Sequence, residues 1–278
     1  MNGTLYLCAT PIGNLGDVSR RLLEVFEMVD LIACEDTRRT VQLLNYFDIH
    51  KQLTSYHEHN KREKGEYIVE LLKEGKNVAL VSDAGTPAIS DPGEDLVKLC
   101  IENDLNITSI PGCVAGVNAL ILSGLSTKRF AFEGFLSVNK RHRYEHLESV
   151  KNDTHTLIFY EAPHKLTYTL KDMLDILGDR KIALCRELTK LHEEVIRTTL
   201  SEAQTLYTEK SPKGEYVIII EGAKEQEVEI WWQDLSVIDH VEKYISDGED
   251  QKEAIKKTAK DRGVPKRDVY NEYHNAKE

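Results

Sequence analysis

The sequence has few cysteines, and no two of them stand at the spacing of a metal site or a redox pair. Such motifs place cysteines two to four residues apart, whereas these are odd in number and scattered. Most lie in or beside apolar segments, where a thiol packs as a small apolar group. We therefore expect most of them to be buried. The five are Cys8, Cys34, Cys100, Cys113 and Cys185.

Motifs for metals, dinucleotides and ATP are also missing. His57 and His59 are the closest pair of histidines, and no further ligand stands at a metal-site spacing from them. No G-x-G-x-x-G follows the first apolar run, and no G-x-x-x-x-G-K-[ST] occurs. The sequence therefore predicts no metal, and it argues against dinucleotide redox chemistry and ATP hydrolysis.

Long apolar runs are absent as well. Charged residues make up 30% of the chain, and no apolar run approaches the roughly 20 residues that cross a bilayer. Residues Met1 to Ala9 lack a basic leader, an apolar stretch and a small-residue cleavage site. We expect no membrane span and no export, and hence a cytoplasmic protein.

Positive charge is scarce overall, since the formal net charge is −11. Such a balance argues against indiscriminate binding to polyanions, but phosphate contacts depend on local Lys and Arg, not on the total. Each basic cluster is either a localised nucleic-acid surface or an ordinary solvated face. The clusters are Arg38 with Arg39, Lys61 to Lys64, Lys140 to Arg143, and the basic positions between Lys252 and Arg267.

Short apolar runs alternate with helix-length amphipathic segments in the first half, which is typical of parallel strands joined by crossover helices. The predicted strands are Thr4–Ala9, Leu31–Cys34, Val78–Ser82 and Asn106–Ile110. The predicted helices between them are Val18–Val29, Thr37–Phe47, Glu63–Lys73 and Glu94–Glu102.

The second half reads differently, because several of its strands are joined too briefly for helical crossovers, which predicts a mixed sheet. The sequence thus indicates an α/β protein with an N-terminal domain over 1–117, a second α/β domain over 118–223 and a helical extension over 224–278. The second-half strands are Phe130–Phe135, Thr156–Tyr160, Ile182–Arg186, Glu194–Thr199 and Tyr216–Glu221.

The extension follows a charged, loop-like stretch over 223–229. Within it, Ala259, Gly263 and Val269 have the spacing of a helix-turn-helix, with a small residue at the helix contact, a glycine at the turn and an apolar anchor. The same spacing also suits a plain packed helix pair. The acidic residues Asp261, Asp268 and Glu272 weigh against contact with nucleic acid.

Three loops carry the candidate chemistry, since open α/β sheets bind ligands beyond the carboxyl ends of their strands. Ala9–Asp17 is rich in Gly and Pro and ends in an aspartate placed to cap a helix. Ser82–Gly93 holds two Gly/Pro turns and two carboxylates, more than a helix start requires. The small residues of Ile110–Ala115 would let an adenine-sized ring lie against the backbone.

Six motifs in order closely resemble the small-subunit ribosomal RNA cytidine 2'-O-methyltransferase family, a branch of the tetrapyrrole methylase superfamily. The resemblance runs from about residue 3 to 222, and the C-terminal helical unit also looks like the family's. The motifs are Ala9–Leu15, Glu35–Arg38, Tyr56–Asn60, Ser82–Gly93, Tyr160–His164 and Arg186–Lys190.

The resemblance implies a two-domain tetrapyrrole methylase-like fold, in a homodimer, with S-adenosylmethionine held in the cleft between the domains. Thr198 departs from the glycine that many superfamily members have there. Carried over by position, the cofactor contacts would be Pro11, Val81, Ser82, Asp83, Ile89, Val114, Ala115, Glu161 and Thr198.

The implied reaction is attack of a ribose 2'-hydroxyl of 16S ribosomal RNA, within the small ribosomal subunit, on the sulfonium methyl group. Asp36, His57 and Glu161 are the candidates for orienting or deprotonating that hydroxyl. Asp36 would equally serve as a helix cap, and His57 would equally serve to hydrogen-bond its own loop. The candidates for contact with RNA are Arg38, Arg39, Lys140, Arg141 and Arg143. The alternatives are methylation of a small tetrapyrrole precursor and a non-catalytic RNA-binding assembly protein.

Overall fold

The computed structural model describes residues 1–224 and 231–275, so most of the loop expected over 223–229 lies outside the described residues. The chain divides into two compact units, Met1–Ala223 and Lys224–Glu278. The first unit holds two five-stranded sheets and the second holds helices.

The first sheet is entirely parallel, with the strand order β3-β2-β4-β1-β5. Every residue of the strands Leu31–Cys34 and Val78–Val81 is buried, as expected of parallel strands covered on both faces. The very short β3 was not predicted, because its three residues make no apolar run. The strands are β1 (Thr4–Cys8), β2 (Leu31–Cys34), β3 (Leu53–Ser55), β4 (Val78–Val81) and β5 (Asn106–Ile110).

Helices cover both faces of this sheet, and they give it two separate cores. Ile68 and Leu96 pack on one face, whereas Phe26 and Leu44 pack on the other. Ser19, not the predicted Asp17, caps the first helix, because the chain makes a short 3-10 turn over Leu15–Asp17 before the helix begins. These helices are α1 (Arg20–Met28), α2 (Thr37–Tyr46), α3 (Lys61–Lys73) and α4 (Gly93–Glu102), and α5 (Ala115–Ser123) follows the last strand of the sheet.

The second sheet is mixed, as predicted, with the order β6-β7-β10-β8-β9. Only β6 and β7 run parallel, and a helix makes that crossover, whereas the other neighbours are antiparallel. The strands are β6 (Phe130–Phe135), β7 (Thr156–Glu161), β8 (Lys181–Arg186), β9 (Glu194–Thr199) and β10 (Tyr216–Ile220). The helices are α6 (Lys140–Val150), α7 (Pro163–Leu177) and α8 (Leu200–Glu209).

Helix α5 links the two sheets. It follows the last strand of the first sheet, yet its buried Ala119 and Leu120 pack on the second, against Ile158 and Ile219. The predicted domain division between residues 117 and 118 falls inside this helix. Because residues 1–223 form one compact unit, a division into two domains stays a prediction, while the predicted α/β architecture is confirmed.

The C-terminal unit contains α9 (Val237–Ser246), α10 (Gln251–Arg262) and α11 (Lys266–Asn275). Gly263 ends α10 in the left-handed conformation, with φ of +63°. Ala259 and Val269 are buried in the core that these helices share. The expected roles of the small residue, the turn and the anchor are therefore observed, and whether the helix pair contacts nucleic acid stays a prediction.

His240 is fully buried in this unit, between two aromatic rings. Trp232 stacks on it at 5.2 Å and Tyr244 at 5.3 Å between ring centroids. Its Nδ1 accepts a hydrogen bond from Arg262 Nε at 3.1 Å, and Asp261 Oδ2 lies 3.3 Å from its Nε2. Burial, and then the Arg262 guanidinium, lower the pKa of His240 below its ordinary 6.5, with Asp261 opposing them.

This arrangement predicts that acid destabilises the C-terminal unit. Below about pH 6.5 the unfolded chain protonates His240 while the folded ring resists, so stability falls as the pH is lowered toward the depressed pKa. Both tryptophans of the chain, Trp231 and Trp232, lie in this unit, so their fluorescence reports its melting. We expect a lower midpoint at pH 5 than at pH 7, with a smaller difference in His240→Gln. Equal pH slopes in the two proteins would contradict the assignment.

Candidate functional site

The loops after β1, β4 and β5 are joined to one another at the carboxyl edge of the first sheet. Thr10 and Gly85 exchange two backbone hydrogen bonds, of 2.9 and 3.1 Å, and the Ala9 N–H donates to Ile110 O at 3.2 Å. Gly112 lies so close to Ala9 that an added Cβ would be 2.8 Å from the alanine Cβ. The three loops therefore form one continuous, closely packed floor.

The Ser82–Gly93 loop is held in a strained shape by its own aspartate. The carboxylate of Asp91 accepts hydrogen bonds from the N–H groups of Ala88, at 2.9 and 3.0 Å, and Gly93, at 2.7 Å. Ala88 and Ser90 adopt left-handed φ angles of +66° and +61° although neither is a glycine. Asp91 thus shapes the loop from within, and Ile89 at its tip stays 39% exposed.

Asp83 connects the loop after β4 to the start of α2. Its Oδ1 accepts the Asp36 N–H at 3.1 Å, and its Oδ2 pairs with Arg39 Nη1 at 3.0 Å. Because β2 and β4 are neighbours with Cys34 opposite Val81, the two aspartates come level at the sheet edge. The charge of Asp83 is therefore compensated by groups of α2.

Asp36 caps α2, as one of the two readings of the sequence expected. Its Oδ1 accepts the backbone N–H of Arg38 at 2.9 Å, and the Arg38 side chain binds both carboxylate oxygens, at 3.1 and 2.7 Å. Hydrogen bonds from Arg38 lower the pKa of Asp36 to about 2. A carboxylate this acidic is a weak proton acceptor near neutral pH.

Glu35 is another titratable group at the same edge of the sheet. Burial, with the nearby charges of Asp83 and Asp91, raises the pKa of Glu35, while Arg39 and His57 oppose the rise. Glu35 was not among the predicted site residues, although its place directly after a buried strand could have indicated it.

His57 sits at the end of the neighbouring β3. Its backbone N–H donates to Asn60 Oδ1 at 2.8 Å, which fixes the loop. Its ring Nδ1 is buried without a hydrogen-bond partner among the described residues. A buried ring nitrogen without a partner is costly unless a ligand or water satisfies it.

Glu161 is only 3% exposed, and both of its carboxylate oxygens accept hydrogen bonds from the protein. Oε1 accepts the Ala162 N–H at 2.9 Å, and Oε2 accepts the Thr169 hydroxyl at 2.6 Å. The preceding Tyr160 places its hydroxyl 3.0 Å from the Gly116 N–H, in the first turn of α5. Glu161 therefore fixes the start of α7, and Tyr160 holds the preceding strand against the first turn of α5.

The structure places Thr198 and Glu161 in different rows of the second sheet. Thr198 pairs with Ile182, whereas Glu161 and Arg186 both pair with Tyr216 and so lie in one row. Four residues of extended chain separate those two rows, about 13 Å at 3.3 Å per residue. The hydroxyl of Thr198 donates to Glu202 instead. The register of β8 and β9 thus places Thr198 toward the opposite end of the second sheet from Glu161, and its contact with the cofactor stays a prediction.

Lys190 lies in the loop between β8 and β9 and covers the loop after β1. A Cβ on Gly13 would lie 2.4 Å from Lys190 Cγ, so the lysine stem rests directly on the glycine. Its ammonium is fixed 3.1 Å from Glu187 Oε1 and 3.1 Å from Glu215 Oε2. Sequence reasoning missed this role, although Lys190 ends the last of the six motifs.

A cavity of about 280 Å³ lies between α2 and the loops after β1 and β4. Three of the predicted cofactor contacts line it, and so does the predicted RNA contact Arg39. Its walls are Thr10, Pro11, Gly13, Leu15, Arg39, Thr40, Gln42, Leu43, Ser82 and Asp83.

The basic side chains expected at RNA differ in their surroundings. Arg38 is 86% exposed and paired with Asp36, and Arg39 is 63% exposed and paired with Asp83. Arg141 is 85% exposed and paired with Glu145, and the exposed Lys140 lies over the ring of Tyr144.

Arg143 is corrected by the structure, because it is buried and cannot reach an RNA backbone. Its Nε and Nη2 bind Asp172 Oδ2 at 2.7 and 2.6 Å. Its Nη1 donates to the carbonyls of Ser137 and Val138, and the guanidinium lies over the ring of Tyr168. Each of its three guanidinium nitrogens is thus engaged within the fold around α6 and α7.

Neither a metal site nor a membrane segment stands out in the part of the chain that the structure describes. No three His, Cys, Asp or Glu side chains come together there as metal ligands would. Within those same residues, no helix has the length and apolar character that a bilayer crossing requires.

Comparison with known proteins gives consistent matches. A family model described as tetrapyrrole (corrin/porphyrin) methylases matches residues 4–204. The ribosomal RNA small subunit methyltransferase I of Halalkalibacterium halodurans is 54% identical over 274 residues, covering 98% of this chain and 95% of that protein. The protein of the same name from Bacillus subtilis is 50% identical over 275 residues, covering 98% and 94%.

Two solved structures share the fold at low identity. A diphthine synthase matches with a TM-score of 0.60 and 14% identity, over 79% of this chain and 89% of that one. A uroporphyrin-III-C-methyltransferase from Thermus thermophilus matches with a TM-score of 0.56 and 18% identity, over 78% and 94%.

The burial of Arg143 predicts a structural cost for its removal. In Arg143→Met the carboxylate of Asp172 stays buried without its charge partner, so we expect the free energy of unfolding to fall by about 3–5 kcal/mol. The exposed pair of Arg141 provides the control, and Arg141→Met should cost less than about 1 kcal/mol. Urea unfolding of both variants measures the difference. Equal losses would mean that Arg143 is not a structural residue.

Proposed function

This chain belongs to the tetrapyrrole methylase family, and we propose that it transfers the methyl group of S-adenosylmethionine to the 2'-hydroxyl of a cytidine in small-subunit (16S) ribosomal RNA. The observation that carries the proposal is the extent of the similarity to ribosomal RNA small subunit methyltransferases I. It continues through the C-terminal helical unit, which lies beyond the part that the tetrapyrrole methylase model matches.

The donor site that we propose is the floor formed by the three joined loops, with contacts from Pro11, Val81 to Asp83, Ile89, Val114 and Ala115. Gly112 and Gly85 let these loops pack this closely, because a Cβ on Gly112 would meet Ala9 and a Cβ on Gly85 would meet Ile12 and the carbonyl of Cys113. The carboxylates at this edge suit a cationic donor, since opposite charges attract more strongly where solvent is partly excluded. When bound, S-adenosylmethionine supplies a methyl group activated by the positive sulfur.

The chief task of the protein in this reaction is alignment. Holding the hydroxyl oxygen near the methyl carbon and in line with the bond that breaks is worth about 7–11 kcal/mol of the barrier. Loops fixed by backbone hydrogen bonds, such as the pair between Thr10 and Gly85, suit that task. Lys190 completes the enclosure by covering Gly13.

We propose His57 as the group that takes the proton released by the 2'-hydroxyl. Its ring Nδ1 is buried near the carboxyl edge of the sheet without a hydrogen-bond partner among the described residues, and histidine is the side chain that most often acts as a general acid or base. Asp36 and Glu161 are positioning residues in this proposal, because their oxygens are engaged by Arg38 and by Thr169.

The RNA backbone requires local positive charge, given the net charge of −11. Arg38, Arg39, Lys140 and Arg141 are the exposed cations that we assign to phosphate contacts. A tetrapyrrole substrate is the second candidate, suggested by the family model alone. The reaction belongs in the cytoplasm, where small subunits are assembled.

The reaction is tested by mapping ribose methylation in 16S ribosomal RNA from cells with and without this chain. We expect one 2'-O-methylcytidine to disappear with the chain and to return with the wild-type protein. Asp83→Ala should not restore it, because the variant loses the group that joins the loop after β4 to α2. An unchanged methylation map would reject the proposal, and transfer to a precorrin-like substrate instead would favour the second candidate.

We also propose that the chain acts as a homodimer. Helix α5 exposes 44% of Val117 and 65% of Ile121, which lie on the same side of the helix four residues apart. Light scattering should therefore give twice the 31.7 kDa of one chain, and Ile121→Arg should shift the mass toward a single chain. A wild-type mass of one chain would contradict the dimer.

A further inference from the structure

Some residues that line the cavity beside α2 do not belong to the proposed donor site. Pro11, Ser82 and Asp83 belong to both, whereas Gln42 and Leu43 on α2 belong to the cavity alone. In a transfer reaction the acceptor must lie against the donor, with the reacting atoms about 3 Å apart. A cavity that shares one wall with the donor site is therefore in the right place for the acceptor.

The size of the cavity limits what it can hold. At about 280 Å³ it falls just below the usual 300–1,000 Å³ range of small-molecule pockets. That volume suits one base with its sugar.

The walls of the cavity carry the groups that recognise a nucleotide. Leu15 and Leu43 offer apolar surface for the faces of a base. Arg39 is 63% exposed and brings a guanidinium, which binds phosphate well, although Asp83 holds it in this structure. Each of these groups matches a different part of one nucleotide.

Gln42 supplies what is needed to read the base edge. It is an exposed residue of α2, and its side-chain amide makes no hydrogen bond with the residues the structure describes. An amide offers one acceptor and two donors, which complement the N4 amino group and N3 of cytosine. Single-stranded RNA bases are commonly recognised on this edge after leaving their stack.

We propose that the cavity beside α2 binds the target pyrimidine nucleotide of the RNA, with the Gln42 amide hydrogen-bonded to the base and Arg39 to a phosphate. The proposal rests on the function proposed above and names the acceptor subsite of that reaction. The ribose then lies at the wall formed by Pro11, Ser82 and Asp83, next to the donor.

The first test removes the amide. A bidentate contact to a base is worth about 5- to 150-fold, so Gln42→Ala should lower kcat/KM for small subunits from cells lacking this chain by that factor, mainly through KM. Affinity for S-adenosylmethionine, measured by calorimetry, should not change. The matched control is Asn45→Ala, which removes an exposed amide from the same helix outside the cavity and should stay within about twofold of wild type.

A second variant fills the space instead. Gln42→Trp places a large ring at the cavity and should reduce RNA methylation further than Gln42→Ala, again with donor affinity unchanged. Equal kcat/KM for Gln42→Ala, Gln42→Trp and Asn45→Ala would overturn the inference while leaving the proposed function intact. Weakened donor binding in either Gln42 variant would assign the cavity to the donor. Absence of methylation by the wild-type protein would instead reject the proposed function.

Discussion

The site depends on one constraint, which is that three loops at the edge of a parallel sheet must touch one another. The two backbone hydrogen bonds between Thr10 and Gly85, and the packing of Gly112 on Ala9, leave these loops little freedom. Parallel strands all present their carboxyl ends at one edge, so loops distant in the sequence meet there. A surface built this way is shaped before any ligand arrives.

The gathering of charged side chains at this edge follows from the order of the strands in the sheet. Because β2 lies between β3 and β4, the segments after all three strands face each other, and several carboxylates gather there. The protein neutralises two of them through α2, with Arg38 on Asp36 and Arg39 on Asp83. The remaining acidic character sets the electrostatic environment that a cationic donor would enter.

The sequence was informative where local pattern decides the structure. Apolar runs located four strands of the first sheet, and brief connections predicted a mixed second sheet. The sequence was not informative where long-range pairing decides: β3 has too few apolar residues to be recognised, and the register of β8 and β9, which places Thr198 toward the far end of its sheet, has no local signal. In the sequence Arg143 belongs to a basic cluster and nothing marks it as buried. Its burial is explained only by its ion pair with Asp172 on α7. The resemblance to a known family supplied most of the predicted site residues. Only the structure shows which of these residues lie close together.

Helix α5 makes the two sheets inseparable in one physical respect. Its first turn is tied to β7 by the Tyr160 hydroxyl on the Gly116 N–H, and its inner face fills the apolar core of the second sheet. A cut between residues 117 and 118 would divide this helix, leaving Gly116, which is bound to Tyr160, on one fragment and the buried Ala119 and Leu120 on the other. Residues 1–223 are thus expected to melt in a single cooperative transition, so that no half of this unit persists as a stable fragment.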